Sequence, residues 1–417
     1  MVKNKTNQKD FPNGDAPISH EVCIVGGGPS GLICALMMAK SGIDTALIAP
    51  CVTPDDGRTT ALLQASLKIL ESLEIWPKLL EIAAPLKKMR LIDDTGRLLR
   101  APETTFDSTE LELDAFGYNL PNSEMVKALL SMVSEQERLA TYDTVAEAVE
   151  PTGERATVSL KTGEAISCAL VVGADGRNST VREAAAIPVK KWKYEQHALV
   201  ANLRHTVPHH DCSTEFHTPT GPFTLVPLKG NNSSLVCVVR LDTAEQLRSF
   251  DAGQLALELE KRAHSILGRF DLESAAQIFP LSGMTANRVG QNRCALIGES
   301  AHVFPPIGAQ GLNLGLRDVA WLGETVVRAK TQGTDIGGTD TLSAYNDVRM
   351  NDIRSRTTAV DLLNRTLLTD FLPIQTGRSV GLYLAGRVGP LRRVMMREGI
   401  APSLSSPKLA RGVPLST

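Results

Sequence analysis

The chain has 417 residues, with 44 Lys plus Arg against 46 Asp plus Glu and a formal net charge of −2. At roughly 150 residues per domain that is enough for two or three domains, and 42% apolar with 22% charged residues argues against a disordered or collagen-like polymer. The near-neutral balance speaks against a nucleic-acid binder, which carries a basic excess. Seven Cys without a C-x-x-C pair speak against a disulfide framework and fit a reducing cytoplasm.

In chain order, the first 20 residues contain no apolar run of the kind a secretory signal needs, and 1–18 reads as a disordered polar tail. Val22 to Ala39 is 18 residues without a charge, long enough to suggest a membrane span. Its centre reads GGGPSG, which breaks a helix. The stretch therefore predicts a buried strand, a tight turn and a buried helix, with no transmembrane segment anywhere. Val22-Cys23-Ile24-Val25 is the strand, covered on both faces, Gly31 to Lys40 the helix, and Thr45 to Ala49 a second strand. Residues 59–80 predict one amphipathic helix ending near Trp76-Pro77, and about 122–138 another. From Ala156 short strands follow, ending in AISCALVVG, and 195–245 holds several β runs parted by Pro, Gly and Asn. Ala252 to Gly268 predicts a helix, Cys294 to Gly298 a buried strand, and Gly311 to Lys330 a long helix. A final helical region runs past Arg365. The pattern is α/β: one nucleotide-binding domain assembled from 19–90, 120–188 and 285–340, a β-rich insertion of 91–119 and 189–284, and helices over 341–417.

Three motifs carry chemistry. The first, Gly26-Gly27-Gly28-Pro29-Ser30-Gly31, is a G-x-G-x-x-G lying between a strand and a helix. Gly26 permits the tight turn, Gly28 lets a pyrophosphate approach the backbone, and Gly31 permits close helix–strand packing. The N-terminus of the helix that follows faces the phosphates with its positive dipole end. The acid that normally ends the second strand and binds a ribose hydroxyl is absent, because that strand closes on Leu47-Ile48-Ala49-Pro50. Asp55, Asp56, the backbone or water are the substitutes. In the second motif, Val171 to Ser179, an apolar strand delivers Asp175 and Gly176 to its carboxyl end, and Ser179 can cap the next helix. In the third, Ala295 to Asn313, a strand ends in Gly298-Glu299, and a Pro/Gly loop feeds a helix starting near Gly311. Amide groups there can stabilise negative charge on a bound ring.

The three motifs, in this order and spacing, resemble the single-component FAD-dependent aromatic hydroxylases, most of all those of ubiquinone biosynthesis that act on polyprenylated phenols. The likeness spans roughly residues 20–400. It includes Arg58 with Ala61-Leu62 and Ser66, Asn122 opening a helix, Phe216 through Leu228, and above all PPIGAQGLNLGLRD. Ala49 for an acid, Glu299 for the usual Asp, and Cys237 for Trp depart from the family pattern. The resemblance implies a Rossmann-like FAD-binding domain of the glutathione-reductase type with an inserted substrate sheet. It also implies a flavin C4a-hydroperoxide formed with O₂ that hydroxylates a phenol ring, and NAD(P)H or an electron-transfer protein as reductant. On this likeness Gly26, Gly28 and Gly31 take the pyrophosphate, with Pro29 and Ser30 beside it. Arg58 and Asn122 lie near the phosphate and ribityl region, Asp175 and Gly176 border FAD, and Glu299 takes the ribityl chain. Pro306, Gly308, Gly311, Leu312 and Asn313 line the isoalloxazine through backbone groups. No side-chain nucleophile is implied.

Several residues are decoys or stay open. His205, His209, His210, Cys212 and His217 match no zinc spacing and read as an exposed loop, so no metal is expected. His302, beside Glu299, is a candidate general base, although a packed or hydrogen-bonded role fits a chemistry that needs none. Residues 377–417 carry Arg378, Arg387, Arg392, Arg393, Arg397, Lys408 and Arg411 among apolar residues. That pattern suits either peripheral contact with an anionic membrane surface, where a prenylated substrate resides, or a packed helix with a solvated basic face. Other ubiquinone-biosynthesis proteins are the implied partners. A hydroxylase of a small soluble aromatic and a non-catalytic scaffold remain alternatives. If the missing acid weakens the ribose contact, Ala49→Glu raises the FAD affinity of apoprotein in a fluorescence titration; unchanged affinity removes the idea.

Overall fold

The protein is described from a computed structural model covering residues 17–50, 57–96, 100–305, 309–368, 392, 393, 396 and 406–415, with side chains through 357 in the long C-terminal helix. The expected polar tail falls almost wholly outside these residues, as do Asp55, Asp56, Pro306 and Gly308. An eight-stranded sheet runs in the order Gly290–Gln291, Cys294–Leu296, Ala165–Gly173, Ile18–Val25, Thr45–Ile48 and Leu139–Tyr142, with Arg155–Leu160 and Ala146–Thr152 paired beyond Ala165–Gly173. Its central strands are parallel. They are near-continuous Val, Ile, Leu and Cys because helices cover both faces. Val22, Cys23 and Ile24 are wholly buried, as is almost all of the helix Pro29–Lys40. The register places Val25 beside Gly173 and Ile48, and Gly173 beside Leu296. Three strand ends therefore finish side by side, and one of the three motifs leaves each of Val25, Gly173 and Leu296.

A nine-stranded sheet stands against this unit, ordered His302–Val303, Gln277–Ala286, Val189–His205, Asn232–Arg240, Gly221–Leu228, Cys212–Thr218, Lys88–Asp93 and Thr104–Asp107, with Phe270–Leu272 paired to Val189–His205. Strand alternation gives it two unlike faces. Leu199, Leu203, Phe216, Phe223, Leu235 and Cys237 are sealed beneath the helices Leu241–Ser249 and Ala252–Arg262. The opposite face carries Ala198, Val200, Val238 and Leu281, with Tyr194, Val236 and Phe279 only partly covered. This face turns toward the first sheet, since the Arg58 guanidinium lies 5.7 Å above the Phe279 ring. A small sheet of Thr59–Leu63, Gly117–Pro121 and Ala84–Leu86 joins the two, and the Asn119 amide donates to the Pro227 carbonyl at 3.0 Å.

Several expectations change. The single helix over 59–80 is instead the strand Thr59–Leu63 followed by the helices Gln64–Ser72 and Trp76–Leu80. Thr59 and Thr60 favour an extended backbone paired with Gly117–Pro121. Glu74 at φ +57° then breaks the helix before Pro77 restarts it. The histidine-rich stretch is not an exposed loop throughout. His205 is buried and bonds to Ser233 and the Val207 carbonyl, Cys212 is buried, and His209 bonds to the Leu228 carbonyl. No metal-ligating cluster occurs among the described residues. Cys237 lies on the helix-covered side, where burial pushes its thiol up to about 12, away from the face turned to the first sheet. Most of 377–405 lies outside the described residues. Within it, Arg392 does not belong to a solvated face: it makes a bidentate pair with Glu110, donates to the Thr105 carbonyl and stacks 4.4 Å over Phe106. Met396 is buried with Phe116, and Leu409, Ala410 and Leu415 return to the main core.

The tightest packing is at the first glycine loop. A Cβ on Gly31 would run into the Gly26 carbonyl and the Ala174 methyl. Gly31→Ala is expected to cost about 2 kcal/mol of unfolding free energy, an overpacking penalty, read as a lower urea midpoint at unchanged slope.

Candidate cofactor and active site

The structure brings the three motifs into one crevice by hydrogen bonds between their backbones. Gly26 takes φ +121° and donates its amide to the Ile48 carbonyl, and any side chain on it would strike Ala174 and the Asp175 amide. Ala174 in turn donates to Val25, and Ile297 to Gly173. The Ser300 hydroxyl donates to the Gly173 carbonyl at 2.5 Å, and Arg182 reaches the Ser300 carbonyl at 2.9 Å. Ser30 seats against Gly298 and Gly315, where an added Cβ would lie 3.0 Å and 2.7 Å from its hydroxyl. Ser30 is thus the joint between the first and third motifs. Glu299 occupies a short 3-10 turn at the rim, half-exposed, with the Arg177 guanidinium 3.7 Å away. Ser179 caps the helix Thr180–Ala184 through the Arg182 amide, as its position predicts.

The remaining candidates converge on the same place. Asn122 opens the helix Asn122–Ser134, donates its amide to the Arg58 carbonyl and accepts the Thr60 hydroxyl at 2.6 Å. Asn313 is buried, and all its side-chain bonds are internal. It accepts from the Leu63 amide and the Ser66 hydroxyl and donates to the Ala61 and Ala309 carbonyls, at 2.6–2.8 Å. That fourfold clamp explains why Ala61, Leu62 and Ser66 accompany the third motif. Leu312 packs against the main core. Ala309, at φ +53°, turns the chain into the helix Gln310–Thr331. Ala49 stands against Gly27, where a Cβ would meet its methyl at 2.7 Å; it offers no acid to a ribose.

The residues present fit a dinucleotide. The Cβ positions of Gly28 and Gly311 face open space, with no atom within 4 Å, so a ligand can reach the backbone there. The helix behind Gly28 begins with Pro and carries no acid in its first turn, leaving its amide dipoles for an anion. One carboxylate oxygen of Asp175 accepts the Val181 amide, while the other is buried without a partner and available to a ligand hydroxyl.

Comparison with known proteins agrees. Residues 19–354 match the family model described as an FAD binding domain. The chain is 32% identical to ubiquinone hydroxylase UbiL of Rhodospirillum rubrum, over 97% of each chain. It is 30% identical to 3-demethoxyubiquinol 3-hydroxylase of Escherichia coli, over 90% of this chain and 97% of that one. The chain belongs to the FAD-binding family. Its fold is also that of p-nitrophenol 4-monooxygenase PnpA from Pseudomonas putida DLL-E4, with a TM-score of 0.76 at 17% identity, over 91% and 98% of the two chains. The protein is an FAD-dependent monooxygenase, α/β in class, with a cofactor crevice at the carboxyl ends of its parallel strands.

The third motif of this flavoprotein is held in shape by residues absent from the site expected from sequence. Asp318, wholly buried, accepts the Gly298 amide at 2.9 Å and His302 Nε2 at 2.6 Å on one oxygen, and Arg349 at 2.6–2.8 Å on the other. Arg349 continues to Asp352, which also pairs with Arg317. Burial alone would raise the Asp318 carboxyl, but His302, Arg349 and the Gly298 amide hold it below its ordinary value of 3.8. Burial pushes Arg317 down to about 10. His302 is therefore placed as a packed, hydrogen-bonded partner of Asp318, tilted against Phe304. The signal in the sequence is the Arg-Asp that closes GLNLGLRD; nothing local pairs it with Arg349, 31 residues on.

Because the folded Asp318 is lowered, its contribution to stability is complete above about pH 4 and is lost as pH falls through the lower folded value. Asp318→Asn strands Arg349 in the core, and a loss of about 4 kcal/mol is expected. It shows as early unfolding and flavin release in a thermal melt, and its remaining stability responds less to acid than the wild type's does.

Proposed function

We propose that this monooxygenase hydroxylates the ring of a polyprenylated phenol on the route to ubiquinone, using O₂ and either NAD(P)H or an electron-transfer protein. The observation that carries the reading is the face of the nine-stranded sheet turned to the flavin crevice. Val200, Val236, Val238, Phe279, Leu281 and Tyr194 make it apolar, yet several of them are incompletely covered. An apolar surface left open between two sheets suits an isoprenoid chain, whose burial contributes about 0.8 kcal/mol per methylene. Its relatives' names supply the pathway.

Reduced FAD, when bound, supplies the activation of O₂ and the transfer of one oxygen atom. The chain's own residues bind and exclude. Gly26, Gly28, Gly31, Pro29 and Ser30 would cradle the pyrophosphate; Arg58 and Asn122 would flank it, and Asp175, Gly176 and Glu299 would meet the ribityl and ribose hydroxyls. The amides at Gly311, Leu312 and Asn313 would face the isoalloxazine and stabilise negative charge on it. The Asn313 clamp then keeps water from the space between the sheets by holding Ala61 to Ser66 against the loop. The cofactor unit and the inserted sheet would divide the labour between cofactor and substrate.

We also place the protein at the cytoplasmic membrane face as a peripheral visitor, in company with other ubiquinone-biosynthesis proteins. No helix among the described residues is long and apolar enough to cross a membrane, and the substrate's own solubility supports surface contact.

Quinone lipids from the native host lacking this gene, compared by mass spectrometry with the parent, test the reading. A prenylated precursor short of one hydroxyl should accumulate, and its structure identifies the ring position. An unchanged profile, with no second hydroxylase in the genome, moves the substrate to a soluble aromatic.

A further inference from the structure

On the open face of the inserted sheet the apolar residues are joined by polar ones, Asn202, Ser234 and Gln277 among them, and two further polar residues form a pair on the strand Cys212–Thr218. Along one cross-strand row lie Glu215, Thr224, Val236, Val200 and Gln277, each beside the next. Glu215 and His217 flank Phe216, which is buried in the opposite, helix-covered core. Strand alternation therefore puts both polar side chains on the face that looks toward the flavin crevice. His217 Nε2 stands 2.8 Å from Glu215 Oε1, with the two side chains 11% and 26% exposed, and the Thr224 hydroxyl donates to the other Glu215 oxygen at 3.4 Å. A carboxylate only accepts, so the proton of the neutral imidazole is on Nε2 and Nδ1 is left as a base.

We infer that Glu215 and His217 form a proton-accepting dyad for the hydroxyl of the phenolic substrate. The inference rests on the proposed phenol hydroxylation and adds a residue to it. A phenolate ring is far richer in electrons at its ortho and para carbons than the neutral phenol, and a phenol ionises near pH 10, so the ring needs a partner that takes its proton. In the step proposed, the phenol O–H bond breaks and its electron pair stays on oxygen. The proton passes to His217 Nδ1, and Glu215 stabilises the imidazolium through Nε2. When the oxygenated ring leaves, the same proton returns to its phenolic oxygen. The other charged groups around His217 are already engaged. Asp93, beside it on the neighbouring strand, accepts from Thr95 and the Ala101 amide. Asp94, whose amide donates to the His217 carbonyl, pairs its carboxylate with His264. Neither residue lies among the glycine-loop or flavin-loop positions, so their substitution leaves the cofactor crevice intact.

The test is an ultraviolet difference titration of the FAD-loaded enzyme with 2-geranylphenol, following the phenolate band from neutral to alkaline pH. The wild type is expected to bind the phenol with its ionisation lowered by about one pH unit or more. In His217→Gln that shift disappears, in Glu215→Gln it shrinks, and both retain the flavin spectrum and the affinity of the wild type. In turnover, His217→Gln lowers kcat about 100-fold with little change in KM, and raising the pH restores part of the rate. Binding with the same ionisation in wild type and His217→Gln overturns the dyad while leaving phenol hydroxylation standing. Failure of the wild type to bind 2-geranylphenol at all overturns the prenylphenol reading and the dyad with it.

Discussion

The carboxylate of Asp318 is out of water altogether, and it is matched on every side: by the Gly298 amide, by His302 and by the Arg349 guanidinium. A charge so buried costs several kcal/mol unless its partners are all in place. This makes the network an all-or-none device for shape. It fixes Gly298 at φ +60°, and through Gly298 the turn that carries Glu299. Arg349 anchors the same charge to the long helix Thr339–Leu368, and Tyr345 on that helix donates to the Leu296 carbonyl at 3.0 Å. The turn that carries Glu299 is therefore held from behind by the helix Thr339–Leu368.

In front of the loop the constraint is steric. The strand ends at Val25, Gly173 and Leu296 lie in register, so three loops must leave from one line without colliding. Gly26 and Gly31 solve this by having no side chain where Ala174 and the Gly26 carbonyl come close. Gly28 and Gly311 have no such neighbour. Their bareness leaves open space beside the backbone, whereas that of Gly26 and Gly31 serves packing, and the two situations are separable only in three dimensions.

Much of this was legible in the chain itself. The parallel strands announce themselves as charge-free apolar runs, and the motifs sit at their ends because loops there are the places where backbone amides stay unpaired. What stayed hidden was non-local. Thr59–Leu63 is a strand because Gly117–Pro121 lies beside it, a partner more than fifty residues away. Asn313 looked like a backbone contributor, yet its side chain is spent on Ala61, Leu63, Ser66 and Ala309. Nothing local marks Arg392, within its basic segment, as the partner of Glu110. Asp318 closes the run GLNLGLRD, but its pairing with Arg349 carries no local pattern, since a buried ion pair is recognised by burial, which composition does not contain.

The pairing of Arg392 with Glu110 bears on how the cleft is bounded. Phe106, under the Arg392 guanidinium, pairs with Met89 at the end of the sheet opposite Phe279, which lies under Arg58. Each rim of the open face thus has an arginine stacked on a phenylalanine. At the Arg58 rim the arginine comes from the cofactor unit, and at the other it comes from the C-terminal segment, with Met396 buried beside it against Phe116 and Leu63. Leu63 is also the residue whose amide Asn313 holds. The C-terminal segment and the flavin loop therefore grip the same short strand from two sides. A substrate long enough to run the width of the sheet would meet cofactor residues at one end and the C-terminal segment at the other.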